Sequence, residues 1–278
     1  MQAHVVAIVT AVALAASQSP PRTGTIVAAV TAYVRQYQHD FVALVADEDA
    51  TQRVLDGGVV TATRRTRGEM FSTFIDDRGG WMSVHDVQSV DGAPVAGRSD
   101  VRALLQSMSI REVGPRIAAE NARFNLGHVT RNFNEPTLAL LLFTPAHVRD
   151  VSVTVDRQAG PADAGTAAPL TLRVRLDRDA PLVRSLTGRV STAGTFVVDP
   201  ATGRVHSTIV SFDDGRVAAT LETTYALDAH VAAWVPVTFI EHYTDHRTGE
   251  VTEVTTTLSN YRRFVTSGRV VTARTPGD

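Results

Sequence analysis

Residues 196–264 decide the fold, and they read FVVDPATGRVHSTIVSFDDGRVAATLETTYALDAHVAAWVPVTFIEHYTDHRTGEVTEVTTTLSNYRRF. Segments rich in Val, Thr and Tyr alternate here with three short turns, Asp199–Gly203, Asp213–Gly215 and Asp245–Gly249. Asp and Gly supply the backbone geometry that reverses a strand within a few residues. The stretch therefore predicts an antiparallel meander.

Two segments of the meander predict which faces are covered. In Arg216 to Tyr225, one face carries Val217, Ala219, Leu221, Thr223 and Tyr225, and the opposite face is polar. One covered face and one wet face are expected. In Trp234 to Tyr243, apolar residues occur at both odd and even positions, which predicts that both faces of this strand are covered. Either an outer helix or a lined cavity would provide that cover.

Upstream of the meander, the spacing predicts a helix, then strands, then short helices, then strands. Apolar residues recur every three or four positions from Ile26 to Leu44, with Thr23 or Thr25 as the expected N-cap. The alternative is that the helix ends near His39 and Phe41 to Leu55 forms a strand. Further strands are predicted at Val59 to Ile75, Trp81 to Val90, Val151 to Val155 and Leu170 to Leu176. Short helices are predicted after a Ser99 cap, through Val113 to Phe124, and after Pro136, and residues 160–169 are predicted as a hairpin loop.

The N-terminus has the pattern of an export signal. Val5 to Ala16 is an apolar run of the length of a signal-peptide core, and Ala13 and Ala15 form an A-x-A cleavage site. No Lys or Arg precedes the run. We expect residues 1–17 to be a signal peptide, residues 18–278 to form a single domain, and the mature chain to be periplasmic or secreted without a transmembrane segment.

Composition excludes several classes of protein. The 278 residues include no Cys, and all 27 basic residues are Arg, so disulfide, thiolate and lysine-dependent chemistry is absent. A net charge of −2 gives no basic footprint for nucleic acid. The chain also lacks the nucleophile-elbow and phosphate-loop motifs. We therefore predict no enzymatic activity, no catalytic residue, no cofactor and no nucleic-acid partner.

Two stretches carry a resemblance to a known family. Gly194-Thr-Phe-Val-Val-Asp199-Pro200-Ala-Thr-Gly203-Arg204 and the Pro236-Val-Thr strand before Tyr243 resemble the periplasmic lipoprotein-carrier superfamily, which includes the Lol-type carriers and their sensor-binding relatives. The order of helix, strands, inserted helices and final meander is also similar. The resemblance implies an incomplete barrel around helices, with an apolar cavity for an acyl chain or another hydrophobic ligand.

Most of the remaining His, carboxylate, Arg and Trp residues that could form a site are more simply explained by structural roles. His242 and His246 are spaced for a shared metal, but they approach a turn and lack the H-E-x-x-H order, so no metal site is predicted. The carboxylates of Asp76-Asp77 and Asp213-Asp214 are expected in turns, and the Arg clusters at 64–67 and 262–263 are expected at solvated edges. Asp47-Glu48-Asp49 is left as a candidate for acid-base chemistry or calcium binding. Trp81 and Trp234 are expected in the core.

These observations predict an α+β fold, in which a curved antiparallel β-sheet, or half-barrel, covers an N-terminal helix and short mid-chain helices. The expected function is binding of a lipid or lipoprotein acyl chain in the half-barrel. The expected cavity lining consists of Val217, Leu221, Tyr225, Trp234, Val235, Val237 and Phe239. Two alternatives stay open: an envelope protein-protein interaction or sensor module with a packed interior, and a hydrolase with dispersed catalytic residues.

Overall fold

A computed structural model describes residues 22–75, 79–129, 135–156, 168–177, 182–183 and 190–264. The strands in this part are β1 (Leu44–Asp56), β2 (Val59–Ile75), β3 (Gly80–Val90), β4 (Ala93–Pro94), β5 (Val151–Asp156), β6 (Leu170–Leu176), β7 (Ser191–Val198), β8 (Val205–Asp213), β9 (Val217–Asp228), β10 (Ala233–Asp245) and β11 (Val251–Arg263). The α-helices are α1 (Thr23–Asp40), α2 (Val101–Ser107) and α3 (Ile110–Asn121), and 3-10 helices span Ala122–Phe124, Leu138–Phe143 and Val148–Asp150.

The described strands form one 11-stranded antiparallel sheet in the order β4-β3-β2-β1-β11-β10-β9-β8-β7-β6-β5. β1 pairs with β2 on one side and with β11 on the other, so the first hairpins and the final meander share a sheet. The predicted meander is confirmed as β7 to β11. The fold class is confirmed as α+β with an open, curved half-barrel.

Each turn of the meander is closed by an Asp side chain. Asp199 Oδ1 accepts the N–H groups of Ala201 and Thr202, and Asp245 Oδ1 accepts those of Arg247 and Thr248 in the same way. A fourth turn, which sequence analysis did not single out, uses Asp228 as acceptor for His230 and Val231. These short side chains replace the hydrogen bonds that the backbone loses at a reversal.

The inner face of the sheet packs on α1 and the 3-10 helix at 138–143. α1 buries Ile26, Val30, Val34 and Tyr37, as its spacing predicts, and it ends at Asp40. The expected Thr cap is wrong: the helix begins at Thr23 itself, and its N-cap Arg22 makes no side-chain cap hydrogen bond. The covered face predicted for β9 is confirmed, since Ala219, Leu221, Thr223 and Tyr225 are all buried.

A second, smaller core lies on the outer face of the sheet. It consists of Val45, Phe71, Val84, Val101, Leu105, Val113 and Ile117, from β1 to β3 and from α2 and α3. The expected Ser99 cap is corrected to Asp100, which accepts the N–H of Ala103, while Ser99 donates its hydroxyl to Glu120. The segment after Pro136 is a 3-10 helix. Residues 1–17 and most of the loop predicted at 160–169 lie outside the described residues.

Candidate binding pocket

A pocket of about 390 Å³ opens beside β3, where inner-face residues of the sheet meet the side of α3 that does not pack in the outer-face core. Its sheet wall comes from β1, β2, β3, β10 and β11, and α3 supplies Gly114, Ala118 and Asn121. The apolar lining includes Ala50, Trp81, Met82, Val84, Val87, Phe124, Phe239 and Val254. The polar lining includes Glu48, Gln52, Thr66, Ser83, His85, Asn125, Glu135, Glu241 and Thr256. The pocket is therefore amphipathic.

Strand pairing explains why these residues share a face. Ala46 pairs with Met70, which pairs with His85, and Leu44 pairs with Ser72, which pairs with Ser83. Because side chains alternate along a strand, Glu48 points inward while Asp47 and Asp49 point outward. Helix α3 packs along β3, and Asn121 donates its side-chain N–H to the backbone carbonyl of His85. This contact covers part of the sheet edge beside the pocket.

Glu48 and His85 lie within ion-pairing distance of each other in the pocket wall. Nδ1 of His85 lies 2.8 Å from Oε1 and 3.0 Å from Oε2 of Glu48. Both side chains are largely buried, with 19% and 12% of their area exposed. The carboxylate orients the imidazole ring and offers acceptor atoms at the pocket.

Glu135 is a second acid of the pocket, and hydroxyl groups surround its carboxylate. Its carboxylate accepts the hydroxyl of Ser83 at 2.7 Å and the hydroxyl of Thr137 at 2.6 Å, and the hydroxyls of Ser83 and Ser72 lie 2.7 Å apart. Burial raises the pKa of Glu135, and the hydrogen bonds from Thr137 and Ser83 only partly oppose that rise. Glu135 is thus held by hydroxyl donors at the base of the pocket.

The Ser83 hydroxyl and the His85 imidazole each contact a carboxylate of the pocket. A serine nucleophile donates its hydroxyl hydrogen to the imidazole that activates it. Ser83 instead donates to Glu135, and Nδ1 of His85 contacts Glu48. In the described part of the chain, the Ser83 hydroxyl is therefore paired with a carboxylate, and Nδ1 of His85 is paired with another.

A third acid, Glu241, lies on β10 with 3% of its surface exposed. The hydroxyl of Tyr243 donates to Glu241 Oε2 at 2.5 Å. Charge-assisted O–H···O bonds of this kind are short and strong. Glu241 is therefore positioned firmly within the sheet, with its face toward the pocket.

Two aromatic donors beside these acids lack partners. The indole N–H of Trp81 and the hydroxyl of Tyr37 are buried without a hydrogen-bond partner in the described residues. Their ring centroids lie 5.7 Å apart, edge to face, and Trp81 lines the pocket. An unpaired buried donor costs roughly 1–3 kcal/mol, so this position favours a ligand atom or water that accepts a hydrogen bond.

The residues predicted to line the cavity lie mainly in the core. Leu221, Tyr225, Val235 and Phe239 are buried, and Val217, Trp234 and Val237 pack against the same cluster. Among these seven, Phe239 also lines the pocket described above. The carbonyl of Pro136 accepts the hydroxyls of Thr223 and Tyr225, so the 135–143 segment occupies the space in front of β9. The ligand contacts predicted for all seven residues stay a prediction.

A β-bulge explains the mixed parity of the Trp234 segment. The pairing of β10 with β9 shifts register between Pro236 and Thr238. An extra residue in a strand reverses which parity faces inward, which accounts for Val235 and Pro236 both being buried. Trp234 is half-buried, with the Arg204 guanidinium 4.9 Å from its ring centroid and the His206 ring at 5.3 Å.

The remaining charged candidates lie on the outer face or in turns. His242 approaches Glu253, and His246 approaches Asp213, while no group of three or more potential metal ligands occurs in the described part of the chain. Asp213 and Asp214 accept backbone N–H groups in their turn, as expected. Asp77 is outside the described residues, as is Asp76.

The solvated-edge interpretation of the Arg clusters is wrong. Arg65 and Arg67 both donate to Asp49, which lowers the pKa of that carboxyl, and Arg262 pairs with Asp47 and Glu69. These ion pairs cross between strands in the middle of the sheet, because β2 and β11 both neighbour β1. Asp49, Arg65 and Arg67 line a charged groove of about 770 Å³ on the outer face.

Sequence analysis missed the polar half of the pocket. Glu48 was grouped with its neighbours Asp47 and Asp49, although strand alternation separates it from them. The Ser83-x-His85 alternation within a predicted strand was an available signal for a polar inner face. Glu135 had no comparable signal, since it reaches the pocket from an irregular segment.

Comparison with known proteins identifies no family for this chain. No protein-family model matches, and no curated protein matches. A solved structure of a DUF1329 family protein from Desulfovibrio piger is 14% identical, covers 87% of this chain and 94% of that chain, and has a TM-score of 0.38. A putative outer membrane lipoprotein-sorting protein domain from Vibrio parahaemolyticus is 12% identical, covers 83% of this chain and 91% of that chain, and has a TM-score of 0.35.

The description of the second structure names lipoprotein sorting, which is also the role of the family that residues 194–204 resemble in sequence. At this level of similarity the neighbours carry no information on ligand or activity. Within the described residues, no helix has the length and apolar character needed to cross a bilayer.

Proposed function

We propose that this chain is an exported, non-enzymatic binding protein that holds a small amphipathic ligand, with a lipid or acyl body, in the pocket between the inner face and α3. The observation that carries the proposal is a pocket of about 390 Å³ whose lining combines apolar side chains with three carboxylates. This volume falls within the roughly 300–1,000 Å³ typical of small-molecule sites.

The apolar and the acidic side chains of the pocket are suited to different parts of such a ligand. Trp81, Met82 and Phe239 offer aromatic and thioether surface for an apolar body. Glu48 and Glu135 offer acceptors for a polar end. Export is supported by the N-terminal apolar run of the sequence and would place the site in the periplasm or outside the cell.

Native mass spectrometry of detergent-free protein, matured from the full chain by an exporting host, tests this function. A bound mass of lipid or acyl size is expected, and it should fall strongly in Ala118→Phe, which places a large ring in the pocket. Ala119→Phe is the matched control, because Ala119 is an exposed neighbour on α3 that does not line the pocket. Equal ligand loss in both variants, or no bound mass in the native protein, would contradict the proposal.

A second candidate is an envelope interaction module with a packed interior. It is favoured by the hydrogen bonds from Thr223 and Tyr225 to Pro136, which fill the inner face in front of β9. A pull-down from envelope extract that captures the same partner with native protein and with Ala118→Phe would favour this function over ligand binding.

A further inference from the structure

The pocket is lined by a residue with an unpaired buried donor and by residues with acceptor groups. Trp81 is only 8% exposed and lines the pocket, and its indole N–H has no partner in the described residues. Nearby, the Glu135 carboxylate accepts from the Ser83 and Thr137 hydroxyls and retains lone pairs for another donor. A matching ligand group must accept from Trp81 and donate to an acid.

Charge distinguishes the groups that meet these requirements. Glu48, Glu135 and Glu241 all line the pocket. A ligand carboxylate has acceptors only, so it provides nothing for these acids and brings another negative charge into a desolvated space. An ammonium donates but has no acceptor for the indole. A hydroxyl or a primary amide supplies both functions without charge.

We infer that the pocket selects amphiphiles whose polar end is an uncharged hydroxyl or primary amide, in preference to fatty acids. The inference rests on the proposed function, because it names the chemical class of ligand for the same pocket. Trp81 acts as the donor that recognises the ligand oxygen, and Glu135 acts as the acceptor that recognises its hydrogen.

Isothermal titration calorimetry with four probes of one chain length tests this selectivity: 1-decanol, decanamide, decylamine and sodium decanoate. The alcohol and the amide are expected to bind about tenfold or more tightly than decanoate, since one hydrogen bond and one avoided charge repulsion together exceed about 1.4 kcal/mol. Trp81→Phe should weaken binding of the alcohol and the amide by a larger factor than binding of decylamine, which has no acceptor for the indole.

Glu135→Gln provides a second, independent measurement. Removing its charge should raise decanoate affinity relative to decanol, whereas Glu253→Gln, a matched change on the outer face, should not. Melting temperatures establish that each variant is folded.

The outcomes separate the two proposals. Decanoate binding as tightly as decanol, or a Trp81→Phe variant that binds all four probes like the native protein, would overturn the head-group selectivity and leave the binding function intact. Failure of all four probes to bind would instead count against the proposed function itself.

Discussion

At the scale of single residues, the inner face owes its character to a few polar side chains among apolar ones. Glu48, Ser83 and His85 point inward only because strand alternation places them there. Glu135 joins them from an irregular segment and is held by the Ser83 and Thr137 hydroxyls. Buried polar groups of this kind are costly unless they are paired, so their hydrogen bonds determine the local stability.

Glu135 should give the protein a pH-dependent stability of defined sign. Burial raises the pKa of Glu135 in the folded state, so the folded chain binds its proton more tightly than the unfolded chain does. The contribution of Glu135 is therefore fully present below the unfolded pKa of about 4.3 and is lost as pH rises through the folded pKa.

The free energy of unfolding of native protein should fall relative to that of Glu135→Gln across this window. Urea denaturation from acid to neutral pH measures the difference between the two proteins. A difference that stays constant with pH would show that Glu135 titrates equally in both states.

The two hydroxyl groups that donate to the Pro136 carbonyl should contribute non-additively to the free energy of unfolding. It accepts from Thr223 at 2.7 Å and from Tyr225 at 3.1 Å, so either single loss leaves it satisfied. Thr223→Val and Tyr225→Phe should each cost about 0.5–1.5 kcal/mol, and the double variant should cost about 1–3 kcal/mol beyond their sum. Urea denaturation of the four proteins completes the cycle, and strict additivity would contradict the shared acceptor.

At the scale of secondary-structure elements, short-range sequence patterns correctly predicted helices, strands and turns. The meander, its turns and the first helix were all predicted, because alternation, Asp-Gly turns and three- to four-residue spacing act locally. The bulge in β10 and the 3-10 form of 138–143 were not predicted, because each depends on what packs against it. The interstrand ion pairs of the Arg residues were missed for the same reason.

Two turns of similar sequence should respond differently to the same substitution. Gly203 and Gly249 each follow an Asp by four residues, with φ of +71° and +73°, so Ala strains both by roughly 1–2 kcal/mol. A Cβ at Gly203 would also lie 2.2 Å from the backbone of Ala29 in α1, whereas no atom lies within 4 Å at Gly249.

Gly203→Ala should therefore destabilise the protein by about 1–3 kcal/mol more than Gly249→Ala does. Chemical denaturation of the two variants measures this difference directly. Equal losses would mean that the Asp199–Gly203 turn is not packed on α1.

At the scale of the whole molecule, pairing of β1 with β11 unites the two ends of the described chain. The main core contains residues from α1, from the 3-10 helix at 138–143 and from strands at both ends of the sequence. A contiguous core across one sheet is expected to unfold cooperatively. This favours the single domain predicted from the sequence.

The two tryptophans allow that expectation to be measured. Trp81 lies on β3 and Trp234 on β10, so Trp81→Phe and Trp234→Phe each leave one reporter in a different half of the sheet. Urea unfolding curves of each variant, followed by fluorescence and by circular dichroism, should coincide. Fluorescence that changes before the circular dichroism signal in either variant would indicate two folding units.

The sequence by itself determined the strand-rich meander, the first helix, the α+β class and the exclusion of lysine and cysteine chemistry. These features follow from composition and from periodicities that each segment carries alone. Only the tertiary structure decided where the pocket lies, because Glu48, Trp81 and Glu135 are far apart in sequence and meet only through strand pairing and the packing of an irregular segment. The predicted cavity lining at 217–239 is apolar in sequence. Whether such residues pack in the core or line a pocket depends on which other segments occupy the space beside them.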